Sequence, residues 1–468
     1  MKTRTSLFLF AALLFNLQLK GNISLPAIFS DHMVLQQDTL VSIWGWAKPG
    51  EVISITGSWD PDTTYTHTVD DHSFWSIDIN TPEAGGPFSL GIQGHNTIVI
   101  EDILIGEVWL GSGQSNMEWT PSGGIDHANK EIKGANHPEI RFFTVFTRAA
   151  NTPQQLLNGE WVVCTPKTME DFSAVLYFFG RELNQELGIP IGLINSSWGG
   201  TPIEIWMPES RVNGDRLLEQ NASLLVPVPW GPVEAGLGYN SMIHPLIPFR
   251  IKGALWYQGE SNVDHPEPYA RALKTLIDSW RSLWGYDFSF YYVQIAPFAG
   301  YDPDHVNGAI LRNQQRIALE LTSKTGMVVV SDIGDLKDIH PKNKTDVGKR
   351  LAAWALSHDY GRTDLAFSGP LFSSCEWDQG KITVYFDYTG DGLRARGGSL
   401  KEFQVLDATG SWMDADAVIE GTSVVVKTAV ENPLGLRYAY TNDSDPNLFN
   451  SAGLPASCFE ILRPEDGR

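Results

Sequence analysis

Cysteine is nearly absent. The 468 residues hold three, Cys164, Cys375 and Cys458. They stand far apart, which excludes a disulfide framework and any closely spaced cysteine metal site. Cys375 and Cys458 do fall in the same C-terminal region, where an oxidising compartment would allow them to pair. None of the eleven histidines forms an H-x-H or H-E-x-x-H pair. A metal site therefore lacks its usual spacing, and neither a metal nor another cofactor is expected. Positive charge is also scarce: 34 Lys and Arg against 55 Asp and Glu leave a net −21. A surface of that sign repels phosphate backbones, so nucleic acid is excluded as a partner. Beyond the N-terminus no apolar run is long enough to span a bilayer, so no membrane partner is expected. There is no internal repeat and no low-complexity segment.

What is present is an ordinary globular composition, 42% hydrophobic and 11% aromatic, with sixteen tryptophans. Tryptophan mostly packs in cores, but it also offers flat faces to sugar rings. Lys2 and Arg4 precede the apolar "SLFLFAALLF", which has the order of an export signal. A signal over 1–21 and a secreted or periplasmic location are the expectation. The first twenty residues hold three cations and no acid, so removing those three positive charges from −21 leaves −24.

Patterning divides the remainder. Residues 22–102 carry short alternating runs, "TLVSIWGWA", "EVISITGSW", "SFWSIDI" and "NTIVI", broken by Gly, Pro, Asp and Asn. This is the signature of a β domain of the sandwich kind. Residues 103–362 alternate apolar strands with helices. The strands are "ILIGEVWLG", "PIGLINSSW", "IKGALWYQG", "SFYYVQIAP" and "TGMVVVSDI". In "EPYARALKTLIDSWRSLWG", Tyr269, Leu273, Leu276, Trp280 and Leu283 step along one helix face. "FSAVLYFFGRELNQEL" runs into Gly188 and Pro190, a helix stop. Apolar strands between amphipathic helices predict an α/β domain whose parallel sheet is covered on both faces. Residues 363–468 return to β patterning and predict a second β domain.

In open α/β sheets, sites form beyond the carboxyl ends of the strands. Ser115 lies there, where "VWLG" runs into "SGQSN". It is not a G-x-S-x-G elbow, because Met117 stands two residues on. By itself "GQSN" fits a turn as well as a nucleophile. Two further strand ends add weight. "INSSWGGT" ends in Gly199-Gly200, where backbone N–H groups can approach a ligand closely. "ALWYQGESN" ends in Gln258, whose amide could donate to an oxyanion. After the last core strand, "SDIGDLKDIHPKNK" sets His340 behind Asp332, Asp335 and Asp338. A histidine base needs a carboxylate to orient its ring and stabilise the imidazolium.

Together, "WLGSGQSNMEW", "SSWGGTPIEIW", "WYQGESN" and "DIHP" resemble the sialate O-acetylesterase family, a branch of the SGNH hydrolases. "LPAIFSDHMVLQQ" and "NLFNSAGLPAS" are similar to its members too, so the likeness spans nearly the whole chain after the signal. The resemblance implies a flavodoxin-like three-layer α/β/α core flanked by β-sandwich-like domains, and a metal-free serine esterase. It makes Ser115 the nucleophile and His340 the base. The Ser115 and Gly200 N–H groups and the Gln258 side chain become the oxyanion hole. The superfamily usually places Asp three residues before its histidine; here that position is Lys337. Asp338 is the first choice for the acid, Asp335 the second and Asp332 the third. The implied substrate is an O-acetylated carbohydrate, with sialic acid as the family name has it. Acetylated xylan or xyloglucan is the alternative, as is a non-catalytic carbohydrate-binding protein on the same fold. A lipase would need an apolar lid segment, and no long one is evident.

Overall fold

The computed structural model describes residues 22–464, so the expected export signal lies outside the described residues. Its centre is a sheet in the order Thr325–Val328, Ser289–Val293, Gly253–Tyr257, Thr97–Gly113, Ile191–Ser197, His137–Thr144 and Trp161–Cys164. All neighbours run parallel except the last pair, which is antiparallel. Every residue of the strands at Ile191, Gly253 and Ser289 is buried. Period-two alternation sends those side chains into two separate cores. Ala254 and Trp256 pack with Leu273, Leu276 and Trp280 of the helix Tyr269–Trp284. Leu255 and Tyr257 pack instead with Val175 to Phe179 of Ala174–Leu187 and with Leu351 of Lys344–Asp359. The sheet thus has helices on both faces, as its unbroken apolar strands require.

Thr97–Gly113 is a single strand of 17 residues. Its first part pairs antiparallel with Gly85–Gln93, and its second part lies parallel between Ile191–Ser197 and Gly253–Tyr257. The chain therefore passes position 102–103 inside one strand, and the N-terminal β region continues directly into the core. At the C-terminus two four-stranded antiparallel sheets enclose their own core, with Ile382, Val405, Leu436 and Phe459 buried.

Two sequence expectations change, and a cysteine pairing that the sequence left open is resolved. The strands His137–Thr144 and Trp161–Cys164 were not expected; Glu139 and Arg141 interrupt the apolar pattern of the first. Arg141 is nevertheless buried and forms an ion pair with Asp102. On the helix Tyr269–Trp284, Leu283 is exposed and Trp284 is buried. A step of four from Trp280 stays on the inner face, whereas a step of three drifts outward. Cys375 and Cys458 do not pair; all three thiols are free, and Cys458 is buried.

Candidate active site

The Thr97–Gly113 strand ends abruptly. Gly113 has φ +134°, and a Cβ there would lie 2.2 Å from the Tyr257 carbonyl oxygen of the neighbouring strand. Only glycine tolerates both conditions, and the chain turns at once into the short helix Ser115–Glu118. Ser115 opens that helix at the carboxyl edge of the sheet. It is part-exposed, while Asn116 and Met117 behind it are buried.

His340 arrives from the loop after Thr325–Val328. Its Nε2 is 2.9 Å from Ser115 Oγ, a hydrogen bond made across 225 residues. The ring lies against Trp119 with centroids 4.2 Å apart and planes 18° apart, which fixes its tilt. Trp119 is anchored in turn by donating Nε1–H to the Gly124 carbonyl at 3.0 Å. Burial lowers the His340 pKa below the usual histidine value; the Lys344 charge adds to that and Asp338 opposes it. The imidazole is thereby kept neutral, the form that accepts a proton.

The three acids before His340 separate clearly. Asp332 is held by two hydrogen bonds from Arg350, at 2.7 and 2.8 Å. Asp335 is exposed and accepts the Lys337 backbone N–H. Asp338 is the carboxylate at the ring, 3.7 Å from Nδ1. That separation is too long for a hydrogen bond. Its Oδ1 accepts the His340 backbone N–H at 2.9 Å instead, so it closes the turn and acts on the ring as a nearby charge.

The second strand end, after Ile191–Ser197, supplies the glycines. Gly199 donates its N–H to Glu118 Oε2 at 2.7 Å, tying this loop to the serine helix. Burial raises the Glu118 pKa, against the effect of that bond. Gly200 has φ +71°, and a Cβ there would lie 2.2 Å from Trp230 Nε1. Among the described residues the N–H groups of Ser115 and Gly200 take no backbone or side-chain acceptor.

Gln258 departs from its expected place. It is fully buried, and its Nε2 donates to the Thr201 carbonyl at 3.2 Å and to Asn262 Oδ1 at 2.7 Å. Its Oε1 accepts from Tyr269. With its donors committed, the side chain braces Asn262 and has none to offer an oxyanion. Gln114 is the glutamine that lines the cavity. Its Oε1 accepts the N–H groups of Gly259 and Ser261.

The cavity over Ser115 and His340 measures about 630 Å³. One wall is apolar and comes from a single segment: Leu224, Leu225, Val226, Val228, Trp230 and Val233. Trp230 is 61% exposed, and its carbonyl accepts Trp198 Nε1–H at 3.0 Å. This wall was not foreseen, because "SLLVPVPWGPV" is too short and proline-rich to read as a lid. Among the described residues no lysine or arginine lines the cavity; its carboxylates are Glu260 and Asp264. A second hollow of about 570 Å³ opens at the opposite edge of the sheet. Ser289 there is bonded to Asp359 rather than to His358, so it holds no comparable pair.

A parallel α/β sheet with a hydrogen-bonded serine and histidine at its carboxyl edge, facing a cavity, is the arrangement on which serine hydrolases are built. Comparison with known proteins narrows this. Residues 105–357 match the family model "Carbohydrate esterase, sialic acid-specific acetylesterase". The sialate O-acetylesterase of Homo sapiens is 29% identical, covering 94% of this chain and 92% of its own. That of Rattus norvegicus is 30% identical over 73% of this chain and 74% of its own. Among solved structures, a carbohydrate acetylesterase from Xanthomonas citri superposes with a TM-score of 0.86 at 37% identity. The match covers 94% of this chain and 99% of that one. The chain belongs to the sialic acid-specific acetylesterase family of carbohydrate esterases, and it is a carboxylic ester hydrolase.

Proposed function

We propose that the protein removes O-acetyl groups from carbohydrates, with Ser115 as nucleophile and His340 as base. The observation that carries this reading is the 2.9 Å hydrogen bond between Ser115 Oγ and His340 Nε2 inside the cavity. His340 takes the serine proton as Oγ attacks the acetyl carbonyl. The oxyanion forms against the N–H groups of Ser115 and Gly200. The protonated imidazole then gives its proton to the departing sugar oxygen, leaving an acetyl-serine. Water repeats the sequence and releases acetate. Asp338 stabilises the imidazolium through space. The reading also takes the core over 103–362 as flavodoxin-like, with β-sandwich-like regions at 22–102 and 363–468. It takes residues 1–21 as the export signal of a secreted or periplasmic enzyme.

Two sugars compete for the site. The names of the relatives point to O-acetylated sialic acid. Among the described lining residues Asp264 is exposed and no Lys or Arg is present, which favours a neutral acetylated glycan over a sialate carboxylate. Trp230 offers either sugar a flat face. Acetate release from acetylated sialosides and acetylated xylo-oligosaccharides, measured side by side, separates the two. Ser115→Ala should abolish hydrolysis of both, and of 4-nitrophenyl acetate, with an unchanged thermal midpoint. Substantial residual turnover by that variant would remove Ser115 from the mechanism.

A further inference from the structure

Behind the serine lies a buried polar cluster that the reaction scheme leaves unused. Lys344 is 1% exposed and is the first residue of the helix Lys344–Asp359. Both burial and the positive end of that helix disfavour a cation at this position. The site compensates with one amide. Lys344 Nζ donates to Asn116 Oδ1 at 2.5 Å, and Asn116 Nδ2 donates to Glu260 Oε1 at 2.6 Å. Nδ2 also donates to the Ile339 carbonyl at 3.0 Å. The orientation of the amide is fixed by its partners, since an ammonium only donates and carboxylate and carbonyl oxygens only accept. The side chain next to the nucleophile therefore holds the residue next to the base. Glu260 Oε2 is enclosed and takes no hydrogen bond, so this carboxylate is not fully satisfied by its neighbours.

We propose that Lys344, Asn116 and Glu260 form a positioning network that holds the His340 loop against Ser115 and tunes the basicity of His340 through the Lys344 charge. The inference rests on the reading of Ser115 and His340 as nucleophile and base. Asn116 supplies the geometry: any shift of its amide moves Ile339, and with it the ring that must meet Ser115 Oγ. Lys344 supplies the field. The groups facing it are Glu260 at the end of the Gly253–Tyr257 strand, Asp338 and His340 in the loop, and the Tyr257 ring 5.6 Å from Nζ. Asp346, in the same helical turn, is bonded to Asn343 instead. Both carboxylates favour the ammonium, while burial brings its pKa down to about 7. An ammonium beside His340 disfavours the imidazolium, so the ring stays neutral to lower pH. A carboxylate hydrogen-bonded to Nδ1 would act in the opposite sense, and here Asp338 makes no such bond.

The test is the pH profile of kcat/KM with 4-nitrophenyl acetate for the wild type, Lys344→Met, Glu260→Gln and Ser115→Ala. Lys344→Met removes the charge and should move the acidic limb upward by about half a pH unit or more. It should also lower kcat by about tenfold or more, with KM little changed. Glu260→Gln keeps an acceptor for Asn116 but weakens the hold on the Lys344 proton, and should move the limb the same way by less. That second variant keeps the inference testable if Lys344→Met does not fold. A uniform loss of activity with the limb in place, in both variants, would mean a merely structural role and overturn the proposal. An active Ser115→Ala would instead overturn the reading on which it rests.

Discussion

Replacing Lys344 with methionine should make the protein more stable at neutral pH, and the gain should disappear as pH rises. In the unfolded chain this lysine titrates near 10.5; in the fold burial brings it to about 7. Between those values the unfolded chain holds a proton that the folded chain does not, so wild-type stability rises with pH across that window. A difference of about 3.5 pH units is worth ~5 kcal/mol against the folded state at pH 7 and below. Methionine fills a similar length without charge. Its cost is the loss of a donor to Asn116 Oδ1, ~1–3 kcal/mol for an acceptor left unpaired in the interior. The net gain is therefore ~2–4 kcal/mol at pH 7 and falls by about 1.4 kcal/mol per pH unit, crossing zero near pH 9. Urea unfolding followed by tryptophan fluorescence at pH 7, 8, 9 and 10 measures it. Comparing the two proteins at each pH cancels the titrations that Lys344 does not influence. A gap that does not change with pH, or a wild type that is the more stable at pH 7, would refute the buried, proton-losing lysine.

The acidic limb of wild-type kcat/KM should lie below pH 6.5, because burial and Lys344 both favour neutral imidazole and activity is lost only as His340 gains its proton. A limb at or above 7 would contradict that ordering. Asp338→Asn should lower kcat by only about tenfold, since the carboxylate makes no hydrogen bond to Nδ1. A loss near 10⁴, the size seen when a hydrogen-bonded triad acid is replaced, would show that the bond forms in the working enzyme. Trp230→Ala should raise KM for acetylated oligosaccharides by several-fold while leaving 4-nitrophenyl acetate nearly unaffected, if the exposed ring serves as the platform for the sugar. Equal losses on both substrates would assign Trp230 to shaping the Gly200 loop, against which it packs.

The local pattern of the sequence determined the layers and the chemistry-bearing strand ends. Unbroken apolar runs such as "GALWY" can only be strands covered on both faces, and "INSSWGG" and "GQSN" had to lie at their carboxyl edge. That alone placed Ser115, Gly200 and His340 within reach of one another, because topology brings strand ends together. Tertiary structure decided what those residues actually touch. Three aspartates lie within eight positions of His340, and sequence could only rank them by proximity. Arg350, 18 residues beyond Asp332, takes that one away, and the turn around His340 spends the Asp338 oxygen on a backbone N–H. Gln258 sits at a strand end like Ser115, yet alternation turns it toward Tyr269 and Asn262. Lys344 opens a helix, where a lysine is ordinarily solvated, yet it is buried, because the serine helix and the Glu260 turn close over it from segments more than eighty residues away. Hydrophobic periodicity is carried by neighbours along the chain. Hydrogen-bond partners and burial of charge are fixed by segments distant in sequence, and only the folded chain brings those together.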